Sequence, residues 1–454
     1  MTDATKEKKP ATVPEAKQAG ESHARWGWVE PTVWTERMLS ALEEGVKGGK
    51  WYSLMDKVYS LPNLMSAFKE VKRRKGGAGV DHETIEMFES DLIENLTKIS
   101  TELKSGRYQP RAIKRTWIPK PGSREKRPLG IPTVRDRVAQ AALRHVLEPI
   151  FERDFCEQSY GFRPKRGCKD ALRRVNSLEK AGYYWVVDAD LKSYFDTIPH
   201  ERLMACLRMR VVDRSVLKLI RMWLQAKVVD SEAADGQHPS VQRVQAGTPQ
   251  GGVISPLLSN IYLHRFDRSF YHLQGPAQRA GAKLVRYADD FVVLARHVTP
   301  RLTQWIEHNL ESRLGLALNR DKTRVVQLNR GQPLDFLGYT FAYQRDLHGR
   351  AQRYLHVTVS HKALKRARAR VHELTSTKHS HVPLPHLVST LNSYLRGWGN
   401  YFGYGYPRRA FRNLNAHTRE RLAHHLGRRS QRGYRPPAGV SFYAHFQRLG
   451  LVQL

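Results

Sequence analysis

Short apolar runs alternate with helical stretches between about residue 112 and residue 340. Runs of four to eight residues rich in β-branched and aromatic side chains are typical of strands, and longer stretches with apolar residues three or four positions apart are typical of helices. This alternation predicts a mixed α/β or α+β domain. The predicted strands are residues 113–118, 184–190, 283–287 and 291–295, and the predicted helices include residues 134–151 and 256–270.

Residues 81–104, upstream of this domain, also carry apolar side chains at helical spacing. The spacing predicts helical structure with most of these side chains on a core-facing side. The apolar positions are Ile85, Phe88, Leu92, Ile93, Leu96, Ile99 and Leu103.

Residues 361–376 predict one helix that is capped by the Ser360 side chain. One face is an apolar stripe and the other faces are crowded with cations. The basic face is either simply solvated or in contact with a phosphate backbone, and we favour phosphate contact because residues 341–454 hold 20 Lys and Arg but only three acidic residues. The stripe is Leu364, Ala367, Val371 and Leu374, and the cations are Lys362, Lys365, Arg366, Arg368 and Arg370.

An aromatic cluster interleaved with glycines follows this helix and ends at the cations Arg408 and Arg409. Aromatic rings can stack on unpaired bases of a nucleic acid. The same rings can equally form the core of a small helical domain, and the sequence leaves both interpretations open. The aromatic residues are Tyr394, Trp398, Tyr401, Phe402, Tyr404 and Tyr406.

The composition points to a polyanionic partner. The 454-residue chain holds 76 Lys and Arg against 43 Asp and Glu, a formal net charge of +33. Nucleic acid is the first candidate partner. An anionic membrane surface is the second, although the chain has no apolar run long enough to span a bilayer and we expect no membrane partner. Residues 1–24 lack a signal peptide and are predicted to be disordered, and residues 230–240 are predicted to be a surface insertion.

The three cysteines, Cys156, Cys168 and Cys206, fit neither a zinc ribbon nor a disulfide framework. We interpret them as isolated thiols in a reducing cytoplasm. The expected location is therefore the cytoplasm, with association with the nucleoid as a further option.

Two adjacent carboxylates, Asp289 and Asp290, lie between the predicted strands 283–287 and 291–295. A hairpin that placed them at its tip would suit a divalent metal, because Mg²⁺ prefers carboxylate oxygens and substrate phosphates as ligands. An acidic surface turn is the alternative. Asp190 at the end of the predicted strand 184–190 can share metals with Asp289 if that strand pairs beside the hairpin, and two neighbouring metal ions are the usual solution for in-line phosphoryl transfer.

Two further segments could contact a substrate bound near these acids. Gly251 and Gly252 permit close backbone approach to a ligand, although taken alone they mark an ordinary turn before a helix that begins at Ser255. Lys120 and Arg127 lie on a predicted hairpin, where cations can grip a triphosphate. In isolation, both would be interpreted as surface cations.

Taken in order along the chain, these segments resemble the ordered blocks of a reverse transcriptase, and specifically of a bacterial group II intron-encoded reverse transcriptase/maturase. The resemblance covers roughly residues 50–450. Many blocks in the correct order make it far more specific than any single block. The blocks are residues 118–132 (fingers), 160–164 (third block), 188–196 (motif A), 245–256 (motif B), 287–290 (motif C, Tyr-Ala-Asp-Asp), 318–323 (motif D), 336–339 (primer grip) and 360–410 (thumb/maturase region).

The resemblance implies an α+β right-hand polymerase, with fingers and an antiparallel palm sheet followed by an all-α thumb/maturase domain. It divides the chain into four parts. They are a partly disordered N-terminal extension (residues 1–48), fingers and palm (49–340), an RNA-binding thumb/maturase domain (341–430) and a short tail (431–454).

By the same resemblance, Asp190 and Asp289 are the main ligands of two Mg²⁺ ions, with Mn²⁺ as a substitute. Asp290 is the third acid of the triad, and Leu191 is assigned to the metal and substrate sites. Lys322 is assigned as a general acid toward pyrophosphate. The acids that the family pattern leaves as structural are Asp188 and Asp196.

The resemblance also assigns the substrate contacts. Lys120 and Arg127 contact the incoming triphosphate. Phe195 lies beneath the sugar and excludes a 2′-hydroxyl, which favours dNTPs. Gln250 and Gly251 line the nucleotide and template pocket.

The implied activity is RNA-directed DNA synthesis from dNTPs, together with binding of the intron RNA to assist splicing and retromobility. The partners are then intron RNA, an RNA template, and a DNA primer or target DNA; the oligomeric state is undefined. No HNH nuclease block is found after Cys206, so we expect no second-strand cleavage. Two alternatives stay open: a domesticated relative used in DNA repair or phage defence, and an RNA-binding splicing maturase with a vestigial polymerase.

Overall fold

The computed structural model describes residues 25–119, 126–230, 241–242, 244–345, 353–429 and 434–454. The predicted disordered segment 1–24 and nearly all of the predicted insertion 230–240 lie outside the described residues, as does Lys120. No described helix is both long and apolar enough to cross a membrane.

The N-terminal part is helical and packs on the long helix Val134–Glu152 of the central domain. The apolar stretch 81–104 forms two helices that part at Asp91, and Ile93 is 67% exposed rather than on the core face. Ile93 is thus an exception to a core-facing side that the structure otherwise confirms, since Ile85, Phe88, Leu96, Ile99 and Leu103 are buried. The helices are α1 (Glu36–Glu44), α2 (Met55–Val58), α3 (Leu61–Arg74), α4 (Ile85–Ser90), α5 (Leu92–Lys104) and α6 (Val134–Glu152).

A four-stranded sheet lies in the region assigned to the fingers. Strand β1 (Ile113–Pro119) pairs antiparallel with β2 (Lys126–Ile131) and parallel with β4 (Val228–Asp230). The short strand β5 (Val241–Gln242) pairs with β4. The predicted hairpin around residues 118–132 is thus confirmed.

A second four-stranded sheet, in the order β6-β7-β3-β8, carries the candidate chemistry and is the palm sheet. All its pairings are antiparallel. Its inner strand β7 is almost wholly buried, which explains why its sequence is an unbroken apolar run. The strands are β3 (Trp185–Ala189), β6 (Lys283–Tyr287), β7 (Asp290–Ala295) and β8 (Arg324–Gln327), against predictions of 184–190, 283–287 and 291–295 for the first three.

Helices cover the palm sheet. The longest of them, α11 (Ser255–Tyr271), begins where Ser255 and Pro256 predicted, with proline in its first turn. The Tyr194 hydroxyl donates to the Ser259 carbonyl at 2.7 Å and so ties the segment after β3 to this helix. The remaining helices are α7 (Cys168–Lys180), α8 (Tyr194–Thr197), α9 (His200–Arg208), α10 (Arg214–Leu224), α12 (Pro276–Arg279) and α13 (Pro300–Glu307).

The C-terminal region has a three-stranded antiparallel sheet followed by helices. The sheet joins β9 (Leu334–Phe336), β10 (Tyr339–Arg345) and β11 (Arg353–Val359). The boundary drawn after residue 340 therefore falls inside β10, and strands β10 and β11 precede the predicted helical part. The helices are α14 (His361–Leu374), α15 (Leu384–Phe402), α16 (Arg408–Gly427) and α17 (Phe442–Arg448).

Helix α14 confirms the helix predicted for residues 361–376, and the Ser360 hydroxyl accepts from the Ala363 amide at 3.2 Å as the predicted cap. The tail folds back on this helical unit. The Asn392 amide group donates to the Gly450 carbonyl at 2.8 Å, and the Asn415 amide group donates to the Leu454 carbonyl at 3.1 Å. These bonds join residues 434–454 to helices α15 and α16.

Candidate active site

The Tyr-Ala-Asp-Asp segment forms the tip of the β6–β7 hairpin. Tyr287 faces Asp290 in the register, which leaves Ala288 and Asp289 as the two turn residues. Ala288 has a φ of +58°, a left-handed conformation that suits a two-residue hairpin turn. The structure confirms the predicted hairpin and the turn position of Asp289, whereas Asp290 is the first residue of β7.

Asp190 directly follows β3, the strand that pairs with β7. Ala189 lies opposite Phe291 in that register, so β3 ends beside the hairpin tip. The negative charge of Asp190 helps to raise the pKa of both Asp289 and Asp290. The predicted meeting of the two acidic segments at one sheet edge is therefore present.

The electrostatics at this edge favour a divalent cation. Burial, followed by repulsion from Asp188, Asp289 and Asp190, raises the pKa of Asp290 to about 7. Burial first, and then Asp190, also raises the pKa of Asp289. A bound cation would offset this repulsion, and hard carboxylate oxygens are the donors that Mg²⁺ and Mn²⁺ take. The donor set therefore fits the metal that the resemblance implies.

Asp190 is engaged by neighbouring side chains. Its Oδ2 accepts from Asn319 Nδ2 at 3.1 Å and from Lys322 Nζ at 3.0 Å. Among the described residues, no group of three or more His, Cys, Asp or Glu side chains is arranged to hold a metal ion. Lys322, assigned as a general acid, thus lies beside the acids, and the ligand set remains a prediction.

Leu191 can serve a metal only through its backbone. Its side chain is 5% exposed in the core, and the residue forms a bridge with Leu318. Asp188 is instead paired with Arg324, whose Nε lies 3.2 Å from the Asp188 Oδ2. That ion pair agrees with the structural role predicted for Asp188.

The residues of motif B are held against two other segments. The Thr248 amide donates to the Phe195 carbonyl at 2.6 Å, and Gln250 Nε2 donates to Asp196 Oδ2 at 3.2 Å. Asp196 therefore holds Gln250, a predicted pocket residue. Gly251 has a φ of +114°, and a Cβ there would lie 2.3 Å from the Gly130 carbonyl oxygen. The glycine is thus required by a close approach to β2, where the sequence suggested a ligand.

Phe195 is half-buried on the short helix α8, close to the motif B loop. Its ring lies edge-to-face with Phe162 at 6.3 Å and with Tyr194 at 5.5 Å. These contacts fix the ring that the resemblance assigns to sugar selection. Arg127 lies exposed on β2, opposite Ile118, and its predicted partner in triphosphate binding, Lys120, lies outside the described residues.

A buried network under the hairpin tip is what the sequence reasoning missed. Arg286, 0% exposed, forms an ion pair with Asp267, with Nη2 2.5 Å from Oδ2. Its Nη1 donates to the Ala288 carbonyl at 2.9 Å and to Asn260 Oδ1 at 3.0 Å. Burial opposes the charge of Arg286, but Asp267 raises its pKa above the ordinary value. A charged arginine thus holds the turn that carries Asp289.

Gly161 packs against the hairpin tip from another segment of the chain. A Cβ on Gly161 would lie 2.3 Å from the Ala288 amide nitrogen, and the Gly161 carbonyl accepts from Asn260 at 2.8 Å. The sequence signal for this network was an arginine inside an apolar strand, since a buried charge requires a partner.

The predicted RNA-binding cations lie on the surface of the helical unit. All seven are exposed, and Arg370 is paired with Glu373, with 2.6 Å between its Nη1 and the Glu373 Oε2. The aromatic cluster divides: Trp398 and Phe402 are each 8% exposed in the core, whereas Tyr406 is 51% exposed. The seven cations are Lys362, Lys365, Arg366, Arg368, Arg370, Arg408 and Arg409.

Comparisons with known proteins agree with this geometry. Residues 118–341 match the family described as "Reverse transcriptase (RNA-dependent DNA polymerase)", and residues 364–438 match "Group II intron, maturase-specific domain". "Protein YkfC" of Escherichia coli (strain K12) is 33% identical over 362 residues, which cover 72% of this chain and 88% of that protein.

"Group II intron-encoded protein LtrA" of Lactococcus lactis subsp. cremoris is 29% identical over 341 residues, 62% of this chain and 55% of that protein. The chain therefore spans about half the length of this relative. A solved structure titled "Partial Cas6-RT-Cas1--Cas2 complex" gives a TM-score of 0.36 at 20% identity, over 57% of this chain and 42% of that chain.

Proposed function

The chain belongs to the reverse transcriptase family and carries the maturase-specific domain of group II introns, and from this premise we propose that it copies RNA into DNA and binds the intron RNA to assist splicing and retromobility. The observation that carries the proposal is the meeting of Asp190, Asp289 and Asp290 at one edge of the palm sheet. Location in the bacterial cytoplasm belongs to the same proposal.

In this proposal the three acids and the Leu191 carbonyl would hold two Mg²⁺ ions, with Mn²⁺ as a substitute. When bound, these ions supply charge neutralisation at the phosphates and a lower pKa for the primer 3′-hydroxyl. Lys322, 3.0 Å from Asp190, is close enough to the site to donate a proton to the departing pyrophosphate. Arg286 supports this role of Asp289, because it holds the turn through the Ala288 carbonyl.

Arg127 and Lys120 receive the triphosphate of a dNTP, and Gln250 orients the templating pair. Asp196 supports this role, since it holds the Gln250 side chain by a hydrogen bond of 3.2 Å. Gly251 contributes by letting the motif B loop contact β2, which joins the fingers to the palm at the pocket.

The direct test is primer extension. Purified protein with an RNA template, a DNA primer, dNTPs and Mg²⁺ should extend the primer to the template end. A chain that binds RNA tightly but extends nothing under these conditions would be a splicing cofactor with a vestigial polymerase, and the proposed polymerase activity would be wrong.

Phe195→Val should admit ribonucleotides. The smaller side chain opens space beneath the sugar, and a shape change of this size is worth about 10- to 200-fold in selectivity. The measurement is the ratio of kcat/KM for a dNTP to that for the matching rNTP. The control is Phe442→Val, a 39% exposed ring on α17 away from the motif B loop. An unchanged ratio for Phe195→Val would remove the sugar-selection role.

RNA binding should weaken linearly in a plot of log affinity against log salt concentration. Each phosphate contact with a single strand contributes about 0.7 to the slope. Lys365→Gln with Arg366→Gln should therefore reduce the slope by about 1.4. A matched pair on α5, Lys98→Gln with Lys104→Gln, removes two exposed cations elsewhere. Equal slopes for the two double variants would contradict phosphate binding by α14.

A further inference from the structure

Three rings form a ladder on the outer part of strand β11. His356 and Tyr406 are stacked, with 4.9 Å between ring centroids and an interplanar angle of 16°. Tyr354 stands edge-on to both rings, at 5.9 Å from His356 and 5.8 Å from Tyr406. Because Tyr406 stacks on His356 and is still 51% exposed, the ladder ends in a tyrosine ring that faces solvent.

The backbone fixes the exposed ring in place. The Tyr406 amide donates to the Val357 carbonyl at 2.8 Å. Gly405 has a φ of +72°, and a Cβ there would lie 2.3 Å from the Val357 carbonyl oxygen. Only glycine allows the α15–α16 connection to cross β11 this closely. Tyr406 is therefore presented on a rigid support, which lowers the entropy cost of binding a flat ligand.

Tyr354 and His356 reach this support because they are two positions apart on β11. Residues at this spacing point to the same face of a sheet, and in the pairing of β10 with β11 they lie opposite Gln344 and Ala342. Burial and the charge of Arg409 lower the pKa of His356, which favours the neutral form of its ring. The ladder is thus an uncharged aromatic surface.

Two cations directly follow the ladder. Arg408 and Arg409 are exposed in the first turn of α16, a helix of 20 residues. Neither forms an ion pair or a side-chain hydrogen bond with any residue that the structure describes. Exposed arginines that follow an exposed ring this closely in the chain match the two parts of a nucleotide, since aromatic faces stack on bases and arginines bind phosphates.

We propose that Tyr406, supported by His356 and Tyr354, stacks on an unpaired base of single-stranded RNA while Arg408 and Arg409 bind the adjacent phosphate. The proposal rests on the proposed function, which makes RNA the substrate, and adds a defined site for an unpaired nucleotide. The buried Trp398 and Phe402 take no part, because they are each 8% exposed in the core. The nucleotide comes from a template overhang or from an intron loop, which share this chemistry.

The test uses an unstructured 12-nucleotide RNA with 2-aminopurine at successive positions. Stacking on a tyrosine should quench the fluorescence of the bound 2-aminopurine at one position. Tyr406→Ala should abolish that quenching and weaken binding by about tenfold, within the range of one base stack. Tyr406→Phe should retain both. Because stacking carries no charge, the salt slope of Tyr406→Ala should equal that of the wild type, whereas Arg409→Gln should lower the slope by about 0.7.

Further RNA substrates distinguish a template overhang from an intron loop, and a second tyrosine variant serves as the control. A blunt RNA–DNA duplex should bind to Tyr406→Ala and to the wild type with equal affinity. A duplex with a 5′ RNA overhang and a hairpin with a long loop are then compared, and the one whose affinity falls in Tyr406→Ala identifies the source of the unpaired nucleotide. Tyr52→Ala, which removes a 62% exposed tyrosine elsewhere, should not change quenching. Binding of the single strand by Tyr406→Ala within twofold of wild type would overturn the site. Primer extension by the wild type is scored separately, so failure of the proposed polymerase stays distinguishable.

Discussion

Asp289→Ala is expected to lower the rate of primer extension by about 10³-fold or more, while RNA affinity changes by less than about twofold. Asp289 lies at the hairpin tip and Asp190 faces it from the end of β3. Loss of one ligand of a catalytic metal removes several kcal/mol of transition-state stabilisation, and each 1.36 kcal/mol is tenfold in rate. RNA affinity should persist because the exposed cations lie on α14 and α16, outside the palm sheet.

Asp188→Asn is the matched control for this experiment. Asp188 belongs to the same strand as the segment that ends in Asp190, but it is paired with Arg324 at 3.2 Å. We expect this variant to keep primer extension within about threefold of the wild type, since an exposed or partly exposed ion pair contributes about 0–1 kcal/mol. Single-turnover extension with saturating dNTP and Mg²⁺ measures both rates. If Asp289→Ala still polymerised, or if both variants lost activity equally, the assignment of the ligands would be wrong.

The local parts of this site could be predicted from the sequence. Strand β6 was predicted at its observed bounds, 283–287, and β7 begins one residue before its predicted start. Alternating or continuous apolar runs indicate the bounds of a strand, because the side chains within the strand determine which of its faces can be buried. The start of α11 at Ser255 followed from proline chemistry. The cap of α14 by Ser360 followed in the same way from its side-chain oxygen.

Contacts between distant segments could not be predicted in this way. The sequence suggested that Gly251 faces a ligand. In the structure its backbone instead lies close to the carbonyl oxygen of Gly130, on a strand more than a hundred residues earlier. The aromatic cluster supported two interpretations because sequence spacing does not say which rings face inward. The structure divides it, with Trp398 in the core and Tyr406 exposed. Residues 434–454 were predicted to be a tail because the sequence does not show their contacts. Asn392 and Asn415 bond to this segment across 39 to 60 residues of sequence.

Arg286 is the clearest case of a residue whose partners only the tertiary structure reveals. It interrupts the apolar run of β6, and its partner Asp267 lies 19 residues earlier on α11. The pair holds the turn through the Ala288 carbonyl, so we infer that Arg286 positions Asp289 without touching the substrate. Because both side chains are almost completely buried, at 0% and 1% exposure, the pair also bears on stability.

Asp267→Asn is expected to destabilise the palm by about 3–5 kcal/mol, because it leaves the Arg286 charge buried without its counter-ion. Hydrogen exchange of the β3, β6 and β7 amides measures this loss locally, which suits a chain with several packed units. The control is Glu201→Gln, which breaks an exposed pair with 2.8 Å between Arg221 Nη1 and Glu201 Oε1. Such a pair should cost no more than about 1 kcal/mol.

A double variant separates stability from positioning. Asp267→Leu with Arg286→Met replaces the buried pair by apolar side chains, an exchange that is often neutral or stabilising. Exchange protection of the palm strands should therefore return toward the wild-type level, whereas primer extension should stay depressed because the Ala288 carbonyl and Asn260 have lost their donor. Full recovery of both protection and activity would show that Arg286 serves packing alone. Recovery of protection without activity would identify it as the residue that holds the catalytic turn.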